Sequence, residues 1–151
     1  MQKYINSKLQ QVQVALKCGK SNYNSFGKYG YRSIEDICEA VKPFESELKV
    51  CFLLNDEIIL VGDRHYVEST ASIICSESGE SVSVKAQARE PDMKKGMDSS
   101  QLTGATATYA RKRAFQGLLN LDNNADADSL NKHEDNPPQT INKSMPSDEL
   151  L

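Results

Sequence analysis

Between residues 4 and 17 the apolar side chains Ile5, Leu9, Val12 and Leu16 recur at intervals of three and four, while Gln10, Gln11, Gln13 and Lys17 fall elsewhere around the wheel. That spacing predicts an amphipathic helix whose stripe meets either the protein's own core or a neighbouring subunit. Residues 18–30 form a loop rich in Gly, Ser and Asn that also holds Tyr23, Phe26 and Tyr29 beside Lys20 and Lys28. Ser33, followed three residues later by Asp36 and flanked by Ile34, Ile37, Cys38 and Val41, marks a second helix start of the N-cap type. Pro43 either ends this helix or opens a further turn through residues 44–48.

The period then changes to two. Residues 50–54, 58–61, 66–75 and 81–89 read as strands separated by Asn55-Asp56, Gly62-Asp63 and Ser78-Gly79, the punctuation of an antiparallel meander. In the last of them Val82, Val84, Ala86 and Ala88 alternate with Ser83, Lys85, Gln87 and Arg89, so one face is buried and the other polar and basic. After a polar linker at 91–99, Ser99 or Ser100 opens a third helix reaching about Asn120. Residues 123–147 hold Asn, Asp, Ser and Pro with few large apolar side chains and are expected to be disordered. The expectation is an α+β fold, a four-stranded antiparallel meander flanked by helices over residues 1–120, with an acidic disordered tail at 121–151.

Charge sharpens that division. The 151 residues carry a net charge of -3. The tail alone holds seven carboxylates against Lys132 and Lys143, a net of -5, which leaves +2 for the body. A mildly basic body with an acidic tail suggests a polyanion partner for the first and a solvated or regulatory role for the second. The tail ends Ser147-Asp-Glu-Leu-Leu151 and is a candidate tethered competitor for any basic groove. Cys18, Cys38, Cys51 and Cys75 are spaced 20, 13 and 24 apart, with no C-x-x-C knuckle, so zinc is not expected and the cysteines read as small hydrophobes. The N-terminus has no apolar signal segment and no run spans a membrane, which points to a reducing cytoplasm and no membrane partner. No phosphate loop, dinucleotide fingerprint or H-E-x-x-H motif is present, and His65 and His133 do not pair, so no catalytic constellation and no cofactor is expected.

The informative chemistry is concentrated in residues 101–119, a helix loaded with Gly104, Ala105, Ala107, Ala110 and Ala114 and then with Arg111, Lys112 and Arg113. On a wheel Gly104, Ala107, Thr108, Phe115 and Leu118 share a packing side with Arg111. Leu102, Thr106, Tyr109 and Arg113 make the other side, and Lys112 also points away from the packing residues. An arginine among packing residues needs a partner, a carboxylate or an external phosphate, because a buried lone charge is very costly. A second group, Lys28-Tyr29-Gly30-Tyr31-Arg32, interleaves cations that track phosphates with rings that stack on bases. Tyrosines in so short a strand also pack on cores. Lys94 and Lys95 in the linker add two further cations that either meet phosphate or merely solubilise.

The stretches 24–37 (NSFGKYGYRSIEDI), 76–80 (SESGE) and 100–111 (SQLTGATATYAR), the last followed by 118–128, resemble the ERF (essential recombination function) family of phage single-strand annealing proteins over about residues 1–128. The resemblance implies a single-strand annealing core domain that coats single-stranded DNA as a homo-oligomeric ring or filament and pairs complementary strands without ATP. It also implies kinship with the RecT and Red beta annealases, an antiparallel sheet crossed by helices, and a phage-encoded protein working in the bacterial host cytoplasm. A phage exonuclease or a host single-strand binding protein is then a further candidate partner. Family members commonly carry Arg and then Tyr where this chain has Lys112 and Arg113, so aromatic packing or stacking at the second position is lost and a charge is gained. The nucleic-acid residues expected are therefore Lys28, Tyr29, Tyr31, Arg32, Lys94, Lys95, Tyr109, Arg111, Lys112 and Arg113. A passive single-strand coating protein and a structural oligomer with no nucleic-acid role stand as alternatives.

Overall fold

Ser33 is the N-cap of a helix, as its spacing to Asp36 predicts: its hydroxyl accepts from the Asp36 N–H at 3.1 Å and the Asp36 carboxylate accepts from the Ser33 N–H at 2.9 Å. The bond from the Ser33 N–H, foremost, holds the Asp36 carboxyl below its ordinary range despite some burial. In the computed structural model, which describes residues 4–91 and 98–121, the order is α1 (Ile5–Ala15), β1 (Asn22–Asn24), β2 (Tyr29–Tyr31), α2 (Ile34–Leu48), β3 (Val50–Val61), β4 (Arg64–Cys75), β5 (Ser81–Arg89) and α3 (Ser99–Leu119). Pro43 lies inside α2, which passes through it and ends only at left-handed Lys49. The segment read as a loop at 18–30 contains a short antiparallel hairpin, β1 with β2, in which Asn22 pairs with Tyr31.

The expected four-stranded meander is three-stranded, in the order β3-β4-β5. Asn55 and Asp56 do not turn the chain. They stay extended opposite Thr70 and Ser69, in a ladder unbroken from Val50 and Cys75 to Val61 and Arg64. The left-handed conformation that a tight hairpin needs is found instead at Gly62, with φ 65°, the residue that reverses β3 into β4. Asp56 has a use for extended geometry, since its carboxylate accepts the Ser69 hydroxyl directly across the ladder at 2.7 Å.

Alternation along the strands then fixes the layers. Val67, Ser69, Ala71, Ile73 and Cys75 of β4 are buried, and opposite them lie Val50, Phe52 and Leu54 of β3 and Val82, Val84, Ala86 and Ala88 of β5. The helices cover this face, with Ile5, Val12 and Leu16 from the first, Ile37 and Val41 from the second, and Ala114, Phe115, Leu118 and Leu119 from the third. The α1 stripe therefore belongs to the protein's own core. On the other face Ser72 and Ser83 share a hydrogen bond of 2.7 Å, and Glu68 accepts Gln87 and pairs with Lys85. All four cysteines are free, and Cys75 is buried.

Lys8 falls on the same stripe and is only 5% exposed, its Nζ 3.4 Å from Cys75 Sγ. The Cys75 thiol is drawn down to about 7, chiefly by the Ser78 hydroxyl and then by the N–H groups of Ser78 and Glu77. No described helix is long and apolar enough to cross a membrane. The acidic tail beyond Leu121 and the linker lysines Lys94 and Lys95 lie outside the described residues.

Candidate nucleic-acid interface

Helix α3 begins with a reciprocal cap. Asp98 accepts from the Gln101 N–H at 2.8 Å while the Gln101 side chain accepts from the Asp98 N–H. Its buried ridge runs Leu102, Thr106, Ala110, Ala114 and Leu118, every fourth residue, and lies on β4 and β5. This corrects the wheel expected from the sequence. Gly104 stands in open space, where an added Cβ would touch nothing, and Thr108 is exposed, whereas Leu102 and Thr106 are buried. Small size marked Gly104 as a contact, but the alanines at 110 and 114 bring the helix down on the sheet. Thr106 fits because its hydroxyl returns to the Leu102 carbonyl at 2.9 Å and leaves its methyl for packing.

With that ridge downward, the basic residues separate. Arg111 leans over β3, where its Nε donates to Asp56 Oδ2 at 2.7 Å and a terminal nitrogen sits 2.5 Å from the same oxygen. The partner demanded by the sequence argument is thus a carboxylate of this chain. Burial would push the Asp56 carboxyl up, but the bonds from Arg111 and Ser69 outweigh it and hold the group below its ordinary range. The same bond, working against burial, raises Arg111 above the ordinary guanidinium value. Lys112 turns to the hairpin, its Nζ 5.5 Å from the Tyr31 ring centroid. Arg113 lies on the far side, its guanidinium carbon 5.7 Å from the centroid of Tyr109, which is 41% exposed.

The hairpin residues divide as well. Tyr29 and Tyr31 meet edge to face with centroids 6.2 Å apart, and Tyr29 accepts at its hydroxyl from Asn24 Nδ2 at 3.1 Å. With Lys112 they form one cationic and aromatic cluster. Lys28 is exposed at the hairpin turn in a left-handed conformation, with φ 54°. Arg32 is 6% exposed and donates from Nε to the Cys18 carbonyl at 3.0 Å, so its guanidinium ties the loop after α1 to the start of α2. Phe26, at the tip beside Lys28, is 99% exposed.

Asp56 is the site residue that sequence reasoning missed. Taken as part of a turn, it drew no attention. Taken as the fourth member of Val50, Phe52, Leu54, Asp56, it is a lone carboxylate on an apolar face, and such a group requires a cation or several donors. Arg89 is also exposed on the strand beside α3 and was read only as part of a polar face.

The family model for the ERF superfamily matches residues 5–149 of the chain. The Essential recombination function protein of Salmonella phage P22 is 49% identical over 150 residues, covering 97% of this chain and 71% of that protein. No solved structure matches. The motif around Arg111, the span of the family match and the identity to the phage protein agree: the chain belongs to the ERF family.

Proposed function

We propose that the protein acts in phage homologous recombination by binding single-stranded DNA and annealing complementary strands without ATP, as a homo-oligomeric ring or filament. The observation that carries this reading is the middle of α3, where two consecutive cations stand beside tyrosine rings, Lys112 over Tyr31 and Arg113 over Tyr109. Cations hold phosphates by counterion release, and rings stack on bases of any sequence. A strand held by its backbone and partly stacked on tyrosine keeps base edges free for a complement, so the rate gain comes from position. The recombination role in the name of the phage P22 relative supports the same reading. Self-association is supported by the edge strand β3, which exposes Leu53, Ile58, Leu60 and Val61 and has no strand beyond it among the described residues.

The test is the annealing rate of complementary oligonucleotides with and without the protein, in the absence of ATP. Acceleration is expected. Binding without acceleration leaves a passive coating protein, and no binding at all leaves a structural oligomer.

A further inference from the structure

Arg111 and Arg113 are two positions apart on α3, a rotation of about 200°, and the helix therefore presents them on opposite flanks. On the β3 flank Asp56 already neutralises Arg111. On the β5 flank an open groove of about 360 Å³ separates Ala88, Arg89 and Pro91 from Ala105, Tyr109 and Arg113. Among the described residues no carboxylate lines it. Three other surface grooves each contain at least one: Asp36 and Glu39 in the first, Glu47 in the second, Asp63 and Glu90 in the third. Among the described residues neither Arg89 nor Arg113 is in an ion pair, so the charge of this groove is uncompensated within the described fold. The lining thus includes Arg113 and an exposed tyrosine ring from α3, Arg89 at the end of the edge strand β5, and apolar surface from Ala88, Leu102 and Ala105, in a volume suited to a small organic unit.

We propose that the β5–α3 groove is a separate nucleotide subsite, in which a base of single-stranded nucleic acid stacks on Tyr109 while Arg113 and Arg89 take the adjoining phosphates. The assignment rests on the single-strand-binding reading above and deepens it by giving each protomer a second track, distinct from the Tyr31 and Lys112 cluster across the helix. Arg113 covers part of the Tyr109 ring. A bound phosphate draws the guanidinium toward the strand and frees ring surface for the base, so stacking and charge contact arise together. Guanidinium suits both tasks because it is planar and forks onto two phosphate oxygens.

The experiment titrates the intact protein with a fluorescent oligothymidylate over a series of salt concentrations. Arg89→Gln/Arg113→Gln is expected to lower the log-log salt slope by roughly 0.7 for each lost phosphate contact. Tyr109→Leu is expected to weaken binding by roughly five- to a hundredfold at unchanged slope. Arg113→Lys should keep the slope, since it keeps the charge. All these side chains are exposed, so the variants are expected to melt with the parent, and a melting curve for each is the check on folding. Lys112→Gln, on the other track, should add independently to the groove variants. If Lys112→Gln weakens binding while the groove variants match the parent in affinity and slope, the groove is not a subsite and the wider reading survives. A parent protein that does not bind the oligonucleotide at all overturns both.

Discussion

On one side of α3, Arg111 is fixed by two contacts to a single Asp56 oxygen, and that carboxylate is itself fixed by Ser69. On the other, Arg113 lies along Tyr109 over a groove that no carboxylate lines among the described residues. The two arginines share chemistry, helix and near neighbours in sequence, yet one is spent on the fold and the other faces solvent with its charge available. The difference comes from the strand beneath each. β3 happens to carry an acid on its helix-facing side at position 56, whereas β5 offers only Val82, Val84, Ala86 and Ala88 there. A basic run on a helix is therefore not one site. Its members must be assigned separately, according to what the packed face below them supplies.

The most damaging break in this comparison removes the common footing of both flanks. Phe115 is buried and stacks on Phe52 of β3, with centroids 5.8 Å apart, seating α3 on the sheet. Phe115→Ala is expected to cost about 3–5 kcal/mol of stability. Denaturant unfolding should show a large fall in midpoint, with binding lost only in proportion to unfolded protein. A variant that keeps its midpoint would mean that α3 is not held by this contact, and the division into flanks would lose its basis.

Much of this architecture was legible because local signals agreed with the global fold. The apolar stripe of α1, the Ser33–Asp36 cap and the strict alternation of residues 81–89 each survive in the structure. The misreadings share a cause. Asn55-Asp56 resembles a turn by residue type, but its conformation is settled by partners at Ser69 and Arg111, which are distant in sequence. Gly104 resembles a close contact by size, but which side of a small-residue helix meets the sheet depends on the ridge that fits it. Lys8 occupies a buried stripe position with its ammonium against the Cys75 sulfur, and nothing near Lys8 in sequence announces that partner. The basic residues were visible from the start, whereas their sorting between flanks required the fold.

A third arginine sharpens the same contrast at smaller cost. Arg32 adjoins the tyrosine cluster in sequence and read as a phosphate contact, but its buried Nε holds the Cys18 carbonyl. Arg32→Ala leaves that acceptor short of a donor and is expected to destabilise by about 1–3 kcal/mol. At temperatures where the variant is folded, its salt slope for single-strand binding should equal the parent's. A reduced slope with an unchanged melting temperature would return Arg32 to the interface and show that the hairpin strand is read from both faces.

The smallest effect expected belongs to the Arg111–Asp56 pair, which is partly exposed and worth at most about 1 kcal/mol after solvent screening. Its signature is therefore pH dependence. Asp56 resists the upward pull of burial through its bonds to Arg111 and Ser69, so its folded carboxyl stays ionised below the pH at which the unfolded one, near ~3.9, takes up a proton. A group depressed in this way contributes its stability above the unfolded value and loses it as pH falls through the folded one. Arg111→Gln should accordingly melt below the parent at neutral pH, and the gap should close as the solution is acidified beneath the ordinary carboxyl range. Arg113→Gln should show no such gap at any pH, because among the described residues no carboxylate lines its groove or pairs with it. Equal pH profiles for the two variants would mean that Asp56 does not distinguish the flanks, and the charge of Arg111 would then be as available to a phosphate as that of Arg113.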